Sequence, residues 1–95
     1  MNDAISHEEL GNRGIFFIES DGARIAELTY QKLGESRIVI DHTEVQVSLR
    51  GQGIARRLLD AAVAWARQTD TKVSATCSYA RDQFARDPSI GDVIG

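Results

Sequence analysis

Two hydrophobic rhythms follow one another along the chain. Gly14-Ile-Phe-Phe-Ile-Glu-Ser20 is aromatic and β-branched and predicts a strand. Asp21-Gly22 then marks a hairpin, because a type I′ turn needs positive φ. From Ala23 to Leu33, Ile25, Glu27, Thr29 and Gln31 alternate with Ala26, Leu28 and Tyr30, the pattern of a second, antiparallel strand. After the turn Gly34-Glu35-Ser36, the Ile-, Val- and Thr-rich stretch Arg37 to Ser48 predicts one long strand, or two broken near Asp41-His42. The period then becomes helical. Ile54, Leu58, Ala62 and Trp65 share one side with Ala55, Leu59, Val63 and Ala66, and Arg56, Arg57, Asp60, Arg67 and Gln68 fall opposite. This predicts an amphipathic helix from about Gly53 to Gln68. Lys72 to Thr76 is short and β-like, and Ser78 is placed to cap a second helix ending before Pro88. Residues 1–13 read as a polar lead-in, free to move. Phe16, Phe17 and Trp65 are expected in the core.

The order β-β-β-(β)-α-β-α predicts an α+β fold. Its sheet is mostly antiparallel, with one parallel pair made by a right-handed β-α-β crossover and two helices packed on it. At 95 residues the chain is read as one domain, 1–95. Cys77 is the single cysteine, which rules out an intramolecular disulfide and a cysteine-based metal site and suits a reducing, cytoplasmic compartment. Met1 to Leu10 is polar and acidic, unlike a signal peptide, and the apolar run Ile15 to Ile18 is too short to span a membrane. A net charge of −3 argues against a nucleic-acid partner. Charge is uneven, however: residues 1–44 carry nine acids and four bases, while residues 49–67 carry four arginines and one aspartate. Edge strands of so small a sheet leave a monomer or a weak homodimer as the expected states.

The segment that changes this picture is Val45-Gln-Val-Ser-Leu-Arg50-Gly51-Gln52-Gly53-Ile54-Ala55-Arg56-Arg57, between the third strand and the long helix. Glycines let the backbone approach a ligand, and a helix start offers unpaired N–H groups with a partial positive charge. Together they suit a pyrophosphate. The loop lacks the Gly-Lys-Ser/Thr ending of a Walker A motif. Arg56 stands where a dinucleotide fingerprint needs a small residue.

Arg50-x-x-Gly53-x-Ala55, after a Val-rich strand and opening an amphipathic helix, resembles the Gln/Arg-x-x-Gly-x-Gly/Ala coenzyme A loop of the GNAT superfamily of N-acetyltransferases. Ile40-Asp-His42-Thr-Glu-Val45, Cys77-Ser78-Tyr79 and Pro88 extend the likeness to a short, single-domain GNAT-like subfamily, which carries a His where this chain has Asp87. The resemblance implies a minimal acyl-CoA acyltransferase fold, acetyl-CoA as cofactor, and a small-molecule or peptide amine as acceptor. It also implies that backbone groups from Val45 to Val47 meet pantetheine. The amides of Gly51, Gln52, Gly53, Ile54 and Ala55 would hold the pyrophosphate, with Arg50, Arg56 and Arg57 adding charge. Catalytic candidates are Glu44, a common base position on this strand in the family, His42, Cys77 as nucleophile or small buried residue, and Tyr79 as proton donor to the leaving thiolate. A module that binds acetyl-CoA without efficient transfer is the alternative.

Overall fold

The computed structural model describes residues 4–95. The alternation in the first half builds four strands, β1 (Ile5–Leu10), β2 (Arg13–Ser20), β3 (Ala23–Lys32) and β4 (Arg37–Val45). Helix α1 (Ile54–Thr69), strand β5 (Lys72–Ala75) and helix α2 (Ser78–Arg86) follow, and short 3-10 helices cover Val47–Leu49 and Pro88–Val93. The five strands lie side by side in chain order. The first four run antiparallel, and β5 joins β4 in parallel through α1.

Three expectations are corrected. The stretch read as a polar lead-in contains β1, paired with β2 from Ile5↔Ile18 to Leu10↔Arg13; residues 1–3 of it lie outside the described residues. So the fourth strand of the first half is an added N-terminal one, not a split of Arg37 to Ser48. The N-cap of α2 is Cys77, one residue before Ser78, and it makes no side-chain capping bond. Phe17 is buried as expected, at 4% exposed, apart from the main core cluster, with Arg24 over its ring at 4.0 Å.

The core lies between one sheet face and the helices. Leu28, Tyr30, Ile38, Ile40 and Val73 supply the sheet side, and Leu58, Leu59, Ala62, Val63 and Ala66 the α1 side. Each buried Leu or Ile contributes about 1.5–3 kcal/mol. Tyr30 is buried whole, and Gly14, its cross-strand partner, makes the space: a Cβ on Gly14 would stand 2.1 Å from the Tyr30 ring. The Tyr30 hydroxyl donates to Glu9 (2.7 Å) and accepts from His7 Nε2 (2.6 Å), while Glu9 also pairs with Lys32 at 2.9 Å. Burial lowers the His7 pKa and raises that of Tyr30; the Tyr30 hydrogen bond holds Glu9 low.

Two β-bulges shape the sheet. Opposite Ile18/Glu19 the extra residue is Ile25, which joins the core out of its expected alternation. On β4, pairing passes from Thr29↔His42 to Tyr30↔Ile40, which leaves Asp41 without a partner on β3. This is the break near Asp41-His42 that the composition suggested, expressed as a bulge inside one strand.

Candidate active site

β4 has two halves. Arg37 to Ile40 pair with Lys72 to Ala75 of β5. There β5 ends: the N–H groups of Thr76 and Cys77 both reach the Ile40 carbonyl, at 2.9 and 3.2 Å, and the chain turns into α2. Asp41 to Val45 continue without a β5 partner. The sheet therefore splits open above Ile40, and the split begins at the bulge. Asp41 braces it by accepting from the Thr29 hydroxyl (2.6 Å) and from Arg13 (3.1 Å).

The mouth of the split is the glycine loop. Gly51 and Gly53 have φ of +83° and +77°, a backbone that L side chains rarely adopt, and a Cβ on either would meet nothing within 4 Å. Backbone twist, not crowding, requires glycine here. The first α1 bond runs from the Arg57 N–H to the Gly53 carbonyl at 3.1 Å, so the N–H groups of Ile54, Ala55 and Arg56 have no intrahelical acceptor. No acidic residue lies in the first turn of α1. A cleft of about 230 Å³ follows, lined by Val45, Leu49, Arg50, Gly51, Gly53, Ile54, Ala55, Arg56 and Tyr79. Whole-ligand pockets run from about 300 Å³ upward, so this one matches part of an extended ligand. A polar donor rim over an apolar floor suits a pyrophosphate leading into an aliphatic arm.

Several backbone groups expected to face pantetheine are engaged within the chain. The Gln46 N–H donates to Ile25 at 2.8 Å, the Val45 carbonyl accepts from Arg50 Nε at 3.2 Å, and the Val47 carbonyl accepts from the Arg50 N–H at 3.3 Å. Val47 is exposed beside the loop, as are Gly51 and Gln52. Arg56 binds Asp60, Gln83 and Asp87. The structure places Arg57 in the same first turn of α1.

The four catalytic candidates divide between the two sheet faces. Directly paired residues of antiparallel strands share a face. His42 faces with Thr29, and Glu44 with Glu27, away from the helices; His42 Nε2 lies 3.8 Å from Glu27 and 4.0 Å from Glu44. Both side chains are open to solvent, at 48% and 64%. Thr43, paired with the core residue Leu28, points to the other face and meets Cys77 Sγ at 3.4 Å. Cys77 and Tyr79 are half-buried against the core, and burial raises the Tyr79 pKa, so its phenol keeps its proton. Composition could not reveal Thr43 as the neighbour of Cys77; only the crossover brings residues 34 apart together.

Residues 15–93 match the GCN5-related N-acetyl-transferase family. The chain belongs to that family. Protein NATD1 of Xenopus tropicalis is 35% identical over 63 residues, covering 66% of this chain and 58% of the relative; human protein NATD1 is also 35% identical, with 56% of its length covered. The match thus spans little more than half of these relatives. A GCN5-like protein of Staphylococcus aureus, solved by NMR, superposes with a TM-score of 0.74 at 33% identity, covering all of this chain and 91% of its own. A ribosomal-protein-alanine N-acetyltransferase from Brucella melitensis shares the fold (TM-score 0.65, 20% identity, 79% of this chain and 62% of its own). This GNAT domain keeps the mostly antiparallel α+β sheet with two helices expected from the sequence, and adds β1 to it.

Proposed function

We propose that the domain transfers an acetyl group from acetyl-CoA to an amine. The observation that carries this is the split between β4 and β5, which opens above the Asp41 bulge and leads along β4 to Val45 in the glycine-loop cleft. Acetyl-CoA, when bound, supplies an acyl group activated as a thioester. The N–H groups at the start of α1 and the Arg50 guanidinium, whose terminal nitrogens have no hydrogen-bond partner among the described residues, would hold its phosphates. Cys77 and Tyr79 stand on the helix side of the split, where Tyr79, kept protonated by burial, donates to the leaving sulfur. His42, with Glu44 beside it, stands on the outer side and takes the proton the amine sheds as it attacks. The acceptor then approaches from the outer face, where Glu27, Glu44 and Asp41 favour a cationic amine, small molecule or peptide. No described helix is long and apolar enough to cross a membrane, and a free Cys77 fits the cytoplasm as the place of action.

The test is a titration with acetyl-CoA followed by amide NMR shifts and by product formation. Shifts should cluster at residues 45–57, and Gly53→Glu, which sets a carboxylate and a strained backbone at the loop, should weaken binding ~100-fold or more. Parent-like affinity in Gly53→Glu would sink the loop assignment. Tight binding without turnover on any amine would leave a binding module, and an acetyl mass on Cys77 would replace direct transfer with a covalent step.

A further inference from the structure

Arg56 occupies the third position of α1, at the edge of the glycine-loop cleft, and the family resemblance gives it to the phosphates. Its guanidinium is committed elsewhere. Nε donates to Asp60 at 2.8 Å, Nη1 to the side-chain oxygen of Gln83 at 2.8 Å, and Nη2 to the Asp87 carboxylate. Tyr79, Gln83 and Asp87 recur at a spacing of four residues along α2 and its C-cap, so they lie on one side of it. Asp87 is fixed in turn: it accepts from the Ser89 N–H (2.9 Å) and hydroxyl (2.6 Å), capping the Pro88–Val93 helix. A phosphate drawing Arg56 away would take one donor each from Asp60, the Gln83 oxygen and Asp87, of which Asp87 would keep Ser89.

We propose that Arg56 is a positioning residue: it clamps the Tyr79–Gln83–Asp87 side of α2 to the first turn of α1, and so fixes Cys77 and Tyr79 against the split between β4 and β5. The proposal rests on the acetyl-transfer assignment above. It gives Asp87, which replaces the subfamily His, the work of holding α2 in place.

The clamp is tested first without cofactor, by the rate at which an aromatic disulfide reagent modifies Cys77. Arg56→Ala and the near-isosteric Asp87→Asn, both checked as folded by circular dichroism, should raise that rate about fivefold or more as the thiol loosens from Thr43. Asp87→Glu should restore the parent rate to within about twofold. In turnover, both loosening variants should lower kcat about tenfold and change acetyl-CoA affinity less than about threefold. An unchanged thiol rate in both variants overturns the clamp. So does a loss of acetyl-CoA affinity in Arg56→Ala at parent thiol rate, which makes Arg56 a phosphate ligand. A parent protein that fails to bind acetyl-CoA overturns the acetyl-transfer assignment instead, and the thiol rates still decide the clamp.

Discussion

The lower and upper halves of β4 belong to one strand and obey different rules. Arg37 to Ile40 are paired on both edges, to β3 and to β5, and Ile38 and Ile40 are buried in the core. Asp41 to Val45 keep β3 but lose β5, and their side chains are half-exposed or exposed. One extra residue, Asp41, separates the two. Below it the strand is scaffold. Above it the strand lacks β5 along one edge, exposes His42 and Glu44 on its outer face and keeps Thr43 and Val45 half-buried on the other. A bulge next to an active site is a common device for re-aiming side chains, and here it sets His42 and Asp41 side by side on the outer face.

The difference predicts opposite consequences for substitutions a few residues apart. Ile40→Ala, at the last paired position, should cost about 2–5 kcal/mol in urea or thermal unfolding, while Val45→Ala, half-buried beyond the bulge, should cost clearly less. Equal losses would erase the distinction between the halves. His42→Ala should do the reverse. It should lower kcat about 100-fold while moving stability by no more than about 0.5 kcal/mol, because the side chain is solvent-exposed. Parent-like turnover would remove His42 from the proton path.

A smaller effect concerns pH. The Ser89 hydroxyl and the Arg56 guanidinium hold the Asp87 carboxyl down, from its ordinary 3.8 to about 2. A carboxylate with a depressed folded-state pKa favours the folded state above the ordinary value, and that stability is lost as pH falls from 3.8 toward 2. Melting temperature should fall across this window, and Asp87→Asn should flatten that part of the curve. An identical acid profile in the variant would mean that the contact contributes nothing to stability.

Features written in neighbouring residues were legible from the sequence. The hairpin at Asp21-Gly22 has φ of +53° and +78°, and α1 starts and ends within one residue of the positions its periodicity gives. The glycine loop is likewise local, and its two left-handed glycines explain why it could be recognised. What stayed hidden depends on partners far along the chain. β1 turns His7 and Glu9 inward beside Ile5 and leaves Leu10 88% exposed, so polar residues stand where a core face is expected, and the reason is a Tyr30 hydroxyl more than twenty residues away. Arg56 is one of several arginines in the sequence until α2 returns Gln83 and Asp87 to it, 27 and 31 residues later. The separation of His42 and Glu44 from Cys77 and Tyr79 follows from the bulge and the crossover, and no spacing rule contains both.

The polar inner face of β1 has a consequence for one edge of the sheet. A one-residue slip of β1 would exchange Ile5 for Leu10 on the apolar side, and it would also turn His7 and Glu9 outward. The fully buried Tyr30 hydroxyl would then lose both partners, at a cost of about 1–3 kcal/mol for a stranded polar group. Polar recognition thus helps to fix the register of β1, one of the two strands with a strand neighbour on a single side. An edge that cannot slide offers an incoming chain one fixed pattern of charged side chains, a poor template for runaway pairing.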